Sequence, residues 1–127
     1  MPAKTILVVD DEPHMLDTVR FILEAGGYAV LTARSGQEAL ARLAGLREQG
    51  RRADLILTDI QMPGPTGLEL VERLAAAGEH GPVLVMSGYN DPETARKLRE
   101  RGCEHFLDKP FEEEDLLREV RALLPSD

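Results

Sequence analysis

Five side chains with useful chemistry close short apolar runs in this chain. Ile6-Leu7-Val8-Val9 leads into Asp10-Asp11-Glu12, and Leu55-Ile56-Leu57-Thr58 leads into Asp59. Val83-Leu84-Val85-Met86 ends at Ser87, and the run around Phe106-Leu107 ends at Lys109-Pro110. In an open parallel sheet, ligands bind just beyond the carboxyl ends of the strands. If the four runs are parallel strands, three carboxylates, a hydroxyl and an ammonium converge at one edge. Asp10, Asp11 and Asp59 offer oxygen ligands of the kind a hard divalent cation prefers. A carboxylate such as Asp59 can attack phosphorus to give an acyl phosphate. It is a weak nucleophile, so a metal and Lys109 would have to supply charge neutralisation and positioning. Ser87 adds a donor beside Gly88, which has no side chain to obstruct a ligand.

Each segment alone has a plainer reading. Asp10-Asp11 could be an acidic strand-to-helix turn, since Asp caps helices. Asp59 could cap the Pro- and Gly-rich stretch that follows, and Lys109 could be a solvated surface residue held extended by Pro110. Four such endings in order weigh against those readings taken one by one.

The elements that must carry these residues alternate. Thr5–Asp10 reads as a strand buried on both faces. Pro13 suits the first turn of a helix carrying Met15, Leu16, Val19, Ile22 and Leu23, and Gly26-Gly27 stops it. Tyr28–Ala33 reads as a second strand. Ser35, with Glu38 three residues on, predicts a capped helix through Ala39, Leu40, Leu43 and Leu46; the polar 47–52 stretch reads as a loop. Asp54–Asp59 is the third strand, and Gln61–Gly67 a loop. Thr66 and Glu69 open a helix through Leu74, and Val83–Ser87 is the fourth strand. Asp91-Pro92 opens a helix over Ala95 and Leu98 that ends at Gly102. Cys103–Asp108 is the fifth strand, and Glu112–Leu124 the last helix, with Glu113, Glu114 and Asp115 at its positive end. Five β-α units with short connections predict an α/β fold, a right-handed, doubly wound, five-stranded parallel sheet with five helices. The alternation leaves the strand order open.

Composition bounds the rest. The 127 residues suit one domain, 1–127, with no second domain expected. Net charge is −8, which opposes binding to nucleic-acid phosphate. The single Cys103 cannot form an internal disulfide, in keeping with a cytoplasmic protein. No apolar run approaches the roughly 20 residues of a membrane span, so no membrane association is expected.

The chain resembles the bacterial response-regulator receiver domain, of the chemotaxis-receiver kind, over essentially its full length. The matching text is Val8-Val9-Asp10-Asp11-Glu12-Pro13, the stretch from Asp59 through Met62-Pro63-Gly64 to Glu69, Met86-Ser87-Gly88-Tyr89, and Gly102 through Lys109-Pro110-Phe111. The resemblance implies the flavodoxin-like strand order 2-1-3-4-5. It implies that Asp59 is the phospho-acceptor, and that Asp11, Asp59 and the Gln61 backbone carbonyl hold Mg²⁺, with Asp10 acting mainly through water. By the same resemblance Lys109 contacts a phosphoryl oxygen, Ser87 turns toward the phosphoryl group, and Phe106 rotates inward. It implies a signalling domain with self-catalysed phosphotransfer and slow autodephosphorylation. Its donor would be a histidine kinase or histidine phosphotransfer protein and its output a downstream protein target, as a monomer or a phosphorylation-dependent dimer.

Some positions depart from the commonest text of that family. His105 and Glu119 stand where a DNA-binding subfamily has Asp and Arg, which weighs against that subfamily's dimer mode. Cys103 stands where Ala is usual. Gln61 and Tyr89 occupy variable positions that would tune access of water to the phosphoryl group. His14, His80 and His105 have no relay context, so a phospho-histidine donor must be another protein. Two alternatives remain on the sequence: a receiver belonging to a larger regulator with an output domain, and an aspartate-nucleophile phosphatase. Such phosphatases want a second acid two residues after the nucleophile, where this chain has Gln61. A flavodoxin-like cofactor binder would need a Gly-rich phosphate loop after the first strand, which is missing.

Overall fold

The structure, a computed structural model, describes residues 3–59, 82–87, 93, 96, 99–100, 105–108 and 111–124. Its centre is a sheet of strands β1 (Thr5–Val9), β2 (Ala29–Ala33), β3 (Leu55–Asp59), β4 (Val83–Ser87) and β5 (His105–Asp108). All pairings are parallel, and the order is β2-β1-β3-β4-β5. This is the doubly wound order that the resemblance implied. Every residue of β1 and β3 is buried, because both strands lie inside the sheet with cover on each face.

Alternation along the strands sorts the core into two layers. Leu7, Val9, Ile56, Val83 and Val85 face one side, where helix α2 (Gly36–Glu48) supplies Ala39 and Leu46. Ile6, Val8, Leu55, Leu57, Leu84, Met86 and Leu107 face the other. There they meet Leu16, Val19, Ile22 and Leu23 of helix α1 (Pro13–Ala25) and Leu116 and Val120 of helix α3 (Glu113–Leu123). Among the described residues these three helices have complete spans. Glu93, Arg96, Arg99 and Glu100 are also helical, where a helix after Asp91-Pro92 was expected. The helix expected through Leu74 lies outside the described residues.

Local chemistry sets the boundaries. Pro13 occupies the first turn of α1, where its missing N–H costs nothing. Gly26 caps the end of α1, and Gly27 follows at φ +96°, a conformation glycine adopts without Cβ strain. The Ser35 hydroxyl accepts the Glu38 N–H at 3.1 Å, the expected cap of α2. That helix runs on to Glu48, so Arg47 and Glu48 are helical and not part of a loop. A favourable charge, Arg47 in the last turn, supports the extension. In α3 the Asp115 carboxylate accepts the Glu112 N–H at 3.0 Å, fixing the first turn. At the amino ends of the central strands, the Asp54 carboxylate accepts the Thr5 N–H at 2.7 Å.

Candidate functional site

The register of β1 on β3 pairs Val9 with Thr58, which sets Asp10 beside Asp59 at the carboxyl edge. Asp10 and Asp59 extend the rows Ile6–Val8 and Leu55–Leu57 by one step of two residues. The sheet therefore delivers two carboxylates side by side at the end of an apolar layer. Both are buried, and Asp11 on the following turn is half-buried. One ligating oxygen from each of Asp10, Asp11 and Asp59 lies within 4.8 Å of the other two. The expected trio of carboxylates is thus brought together.

The turn holding the trio is tied down by its own acids. Asp10 Oδ1 accepts the Glu12 N–H at 3.0 Å, an Asx-type turn that bends the chain out of β1. Glu12 then caps α1: its carboxylate oxygens accept the His14 N–H at 3.1 Å and the Met15 N–H at 2.7 Å. The acidic run after β1 serves both readings open on the sequence. Asp10 and Asp11 face Asp59, while the capping falls to Glu12, a role the sequence reading did not assign. On the neighbouring strand, Thr58 Oγ1 donates to the Asp59 carbonyl oxygen at 3.1 Å, which satisfies a buried hydroxyl at the mouth of β3.

Ser87 ends β4 at the register level of Asp108, and Asp59 pairs with Met86 one residue earlier. Phe106 lies in β5 opposite Val85, half-buried against the layer covered by α2. Above its ring sits the guanidinium carbon of Arg99, 5.7 Å from the centroid. Gln61, Tyr89, His80, Cys103 and Lys109 lie outside the described residues; His14 and His105 are exposed. The Arg99–Phe106 contact was not foreseen from the sequence.

Three carboxylates so close together offer hard oxygen donors at one point, which suits a small divalent cation. The residues present fit such an ion. The family profile described as the response regulator receiver domain matches residues 6–121. The chain belongs to this family. As a receiver domain it is a signalling domain of two-component systems. It is 32% identical over 119 residues to the transcriptional regulatory protein FixJ of Bradyrhizobium diazoefficiens, covering 94% of this chain and 56% of that protein. To the response regulator MprA of Mycolicibacterium vanbaalenii it is 36% identical over 124 residues, covering 98% and 51%. The receiver thus spans about half the length of these curated relatives. Among solved structures, chemotaxis protein CheY4 of Vibrio cholerae superposes with a TM-score of 0.87 at 32% identity, covering 97% of this chain and 100% of that one. Among the described residues, no helix of the receiver is long and apolar enough to cross a membrane.

Proposed function

We propose that Asp59 accepts a phosphoryl group from a phospho-histidine of a histidine kinase or histidine phosphotransfer protein. The observation that carries this reading is the carboxylate trio at the ends of β1 and β3, within 4.8 Å. Asp59 is the member on the central strand, with Asp10 on β1 to one side and Ser87 ending β4 to the other. A carboxylate oxygen of Asp59 forms the new O–P bond as the N–P bond of the donor breaks and the imidazole leaves. Water later attacks phosphorus, returning the carboxylate and inorganic phosphate.

The trio would hold Mg²⁺, through Asp11, Asp59 and the Gln61 carbonyl, with Asp10 through water. The cation offsets the repulsion between the acceptor carboxylate and the incoming anion. Asp10 and Asp11 position it, and the buried sheet edge limits competing water around Asp59. Lys109 neutralises a phosphoryl oxygen. The new group brings about −1.5 to −2 charges and three strong acceptors. Ser87 donates to one of them, and Phe106 turns inward. That hydrogen bond is the differential contact that biases the two states.

The same reading takes 1–127 as one receiver domain, working in the cytoplasm as a monomer or a phosphorylation-dependent dimer. Its output is on a protein target, because a net charge of −8 opposes direct contact with nucleic acid. Incubation with Mg²⁺ and a small acyl phosphate should add one phosphoryl group, seen by intact-mass spectrometry. The addition should vanish in Asp59→Asn and in chelator. Equal labelling of wild type and Asp59→Asn would overturn the assignment.

A further inference from the structure

Phe106 is the aromatic ring of the proposed switch, and it is half-buried in a strand at the edge of the sheet. A ring in that position has two competing environments: the apolar layer behind it and whatever lies over its outer face. Here one face of the ring carries Arg99, with the guanidinium carbon 5.7 Å from the ring centroid. That is inside the roughly 6 Å within which a cation is drawn to the negative face of an aromatic ring. Arg96, one turn earlier on the same helical segment, is exposed and has no such ring contact among the described residues. Among the described residues, Arg96 and Arg99 are therefore not equivalent: Arg99 is engaged with Phe106.

We propose that Arg99 is a positioning residue that holds the Phe106 ring in the half-buried orientation seen here, packed on the layer covered by α2. A rotation that takes the ring face away from the guanidinium loses the attraction, which the present orientation keeps. Only such a differential contact can bias a two-state equilibrium. The strength of an exposed cation–ring contact corresponds to a factor of about two to five in the ratio of the two orientations. Arg99 therefore sets how far the receiver rests from its switched state before any phosphoryl group arrives. The functional consequence rests on the reading of Phe106 as the switch ring; the contact itself does not.

The test uses the whole chain labelled with fluorophenylalanine, without a phosphoryl donor. The Phe106 signal is assigned by its loss in Phe106→Leu, and the side-chain protons of Arg99 are followed alongside. In wild type those protons should show a ring-current shift that disappears in Phe106→Leu. Arg99→Gln should move the Phe106 population away from the orientation seen here by about two- to five-fold. Arg99→Lys, which keeps a cation, should restore most of the wild-type ratio. A merely structural role would not discriminate between Lys and Gln once both variants show the same thermal midpoint. Unchanged Phe106 populations in Arg99→Gln, or the same populations in the Lys and Gln variants, would overturn the proposal. Failure of Asp59 to take a phosphoryl group would instead overturn the acceptor reading, and leaves these measurements as they stand.

Discussion

Removing one charge from the carboxylate trio should make the metal-free receiver more stable. Unit charges 4.8 Å apart repel by about 3.5 kcal/mol at an effective dielectric of about 20. Asp59→Asn removes two such pairs, with Asp10 and with Asp11, together on the order of 7 kcal/mol before screening and compensation. Most of that is offset. Asp11 is half-buried and screened by solvent, and Asp59 is not without a partner in the fold. The expected gain is therefore about 1–3 kcal/mol in the absence of divalent cations. Urea unfolding with and without Mg²⁺ reads it directly, as a shift of midpoint at constant slope. In wild type, Mg²⁺ at 100 times its dissociation constant should add about 2.7 kcal/mol by mass action. In Asp59→Asn that increment should shrink to a small fraction. An Asn variant less stable than wild type without Mg²⁺, or one stabilised equally by Mg²⁺, would refute the electrostatic argument.

Other expectations separate scaffold from site. Glu12→Ala removes the acceptor of two α1 N–H groups and should cost about 0.5–2 kcal/mol in urea unfolding, with Mg²⁺ affinity little changed. Leu57→Ala opens a cavity at a side chain with 0% exposure and should cost about 2–5 kcal/mol by the same assay. Ser87→Ala should still take the phosphoryl group by mass, but the NMR shift changes around Phe106 should fall well below those of wild type. Duplex DNA should show no salt-dependent binding to the isolated chain in a fluorescence anisotropy titration at physiological ionic strength.

The strand ends and the alternation of elements were legible because buried parallel strands are written as uninterrupted apolar runs. Val83–Ser87 appears with the bounds expected, and β1, β2 and β3 each differ from expectation by a single residue at one end. The end of α2 was not legible: polar residues such as Arg47 and Glu48 suit an exposed last turn as well as a loop. The proximity of Asp10, Asp11 and Asp59 depends on β1 pairing with β3, a strand order that periodicity does not encode. The motif resemblance supplied it. Two features lay beyond any linear reading. Glu12 as a cap depends on which of three consecutive acids turns toward the α1 amides. Arg99 over Phe106 depends on how a helix crosses an edge strand.

The strand order also sets a sequence of events in time. β1 is synthesised first, yet it lies inside the finished sheet, paired to β2 on one side and β3 on the other. Its second flank stays unpaired until the ribosome has delivered β3, and the Asp54–Thr5 hydrogen bond then closes a separation of 49 residues. Parallel pairing at such distances is slow, because loop entropy must be overcome before the contact stabilises anything. A nascent chain that stops short of Asp59 holds Asp10 and Asp11 without their third partner. Divalent-cation affinity should thus arise abruptly as β3 docks, well before β5 exists. From that moment a bound ion would fasten β1 to the middle of the sheet.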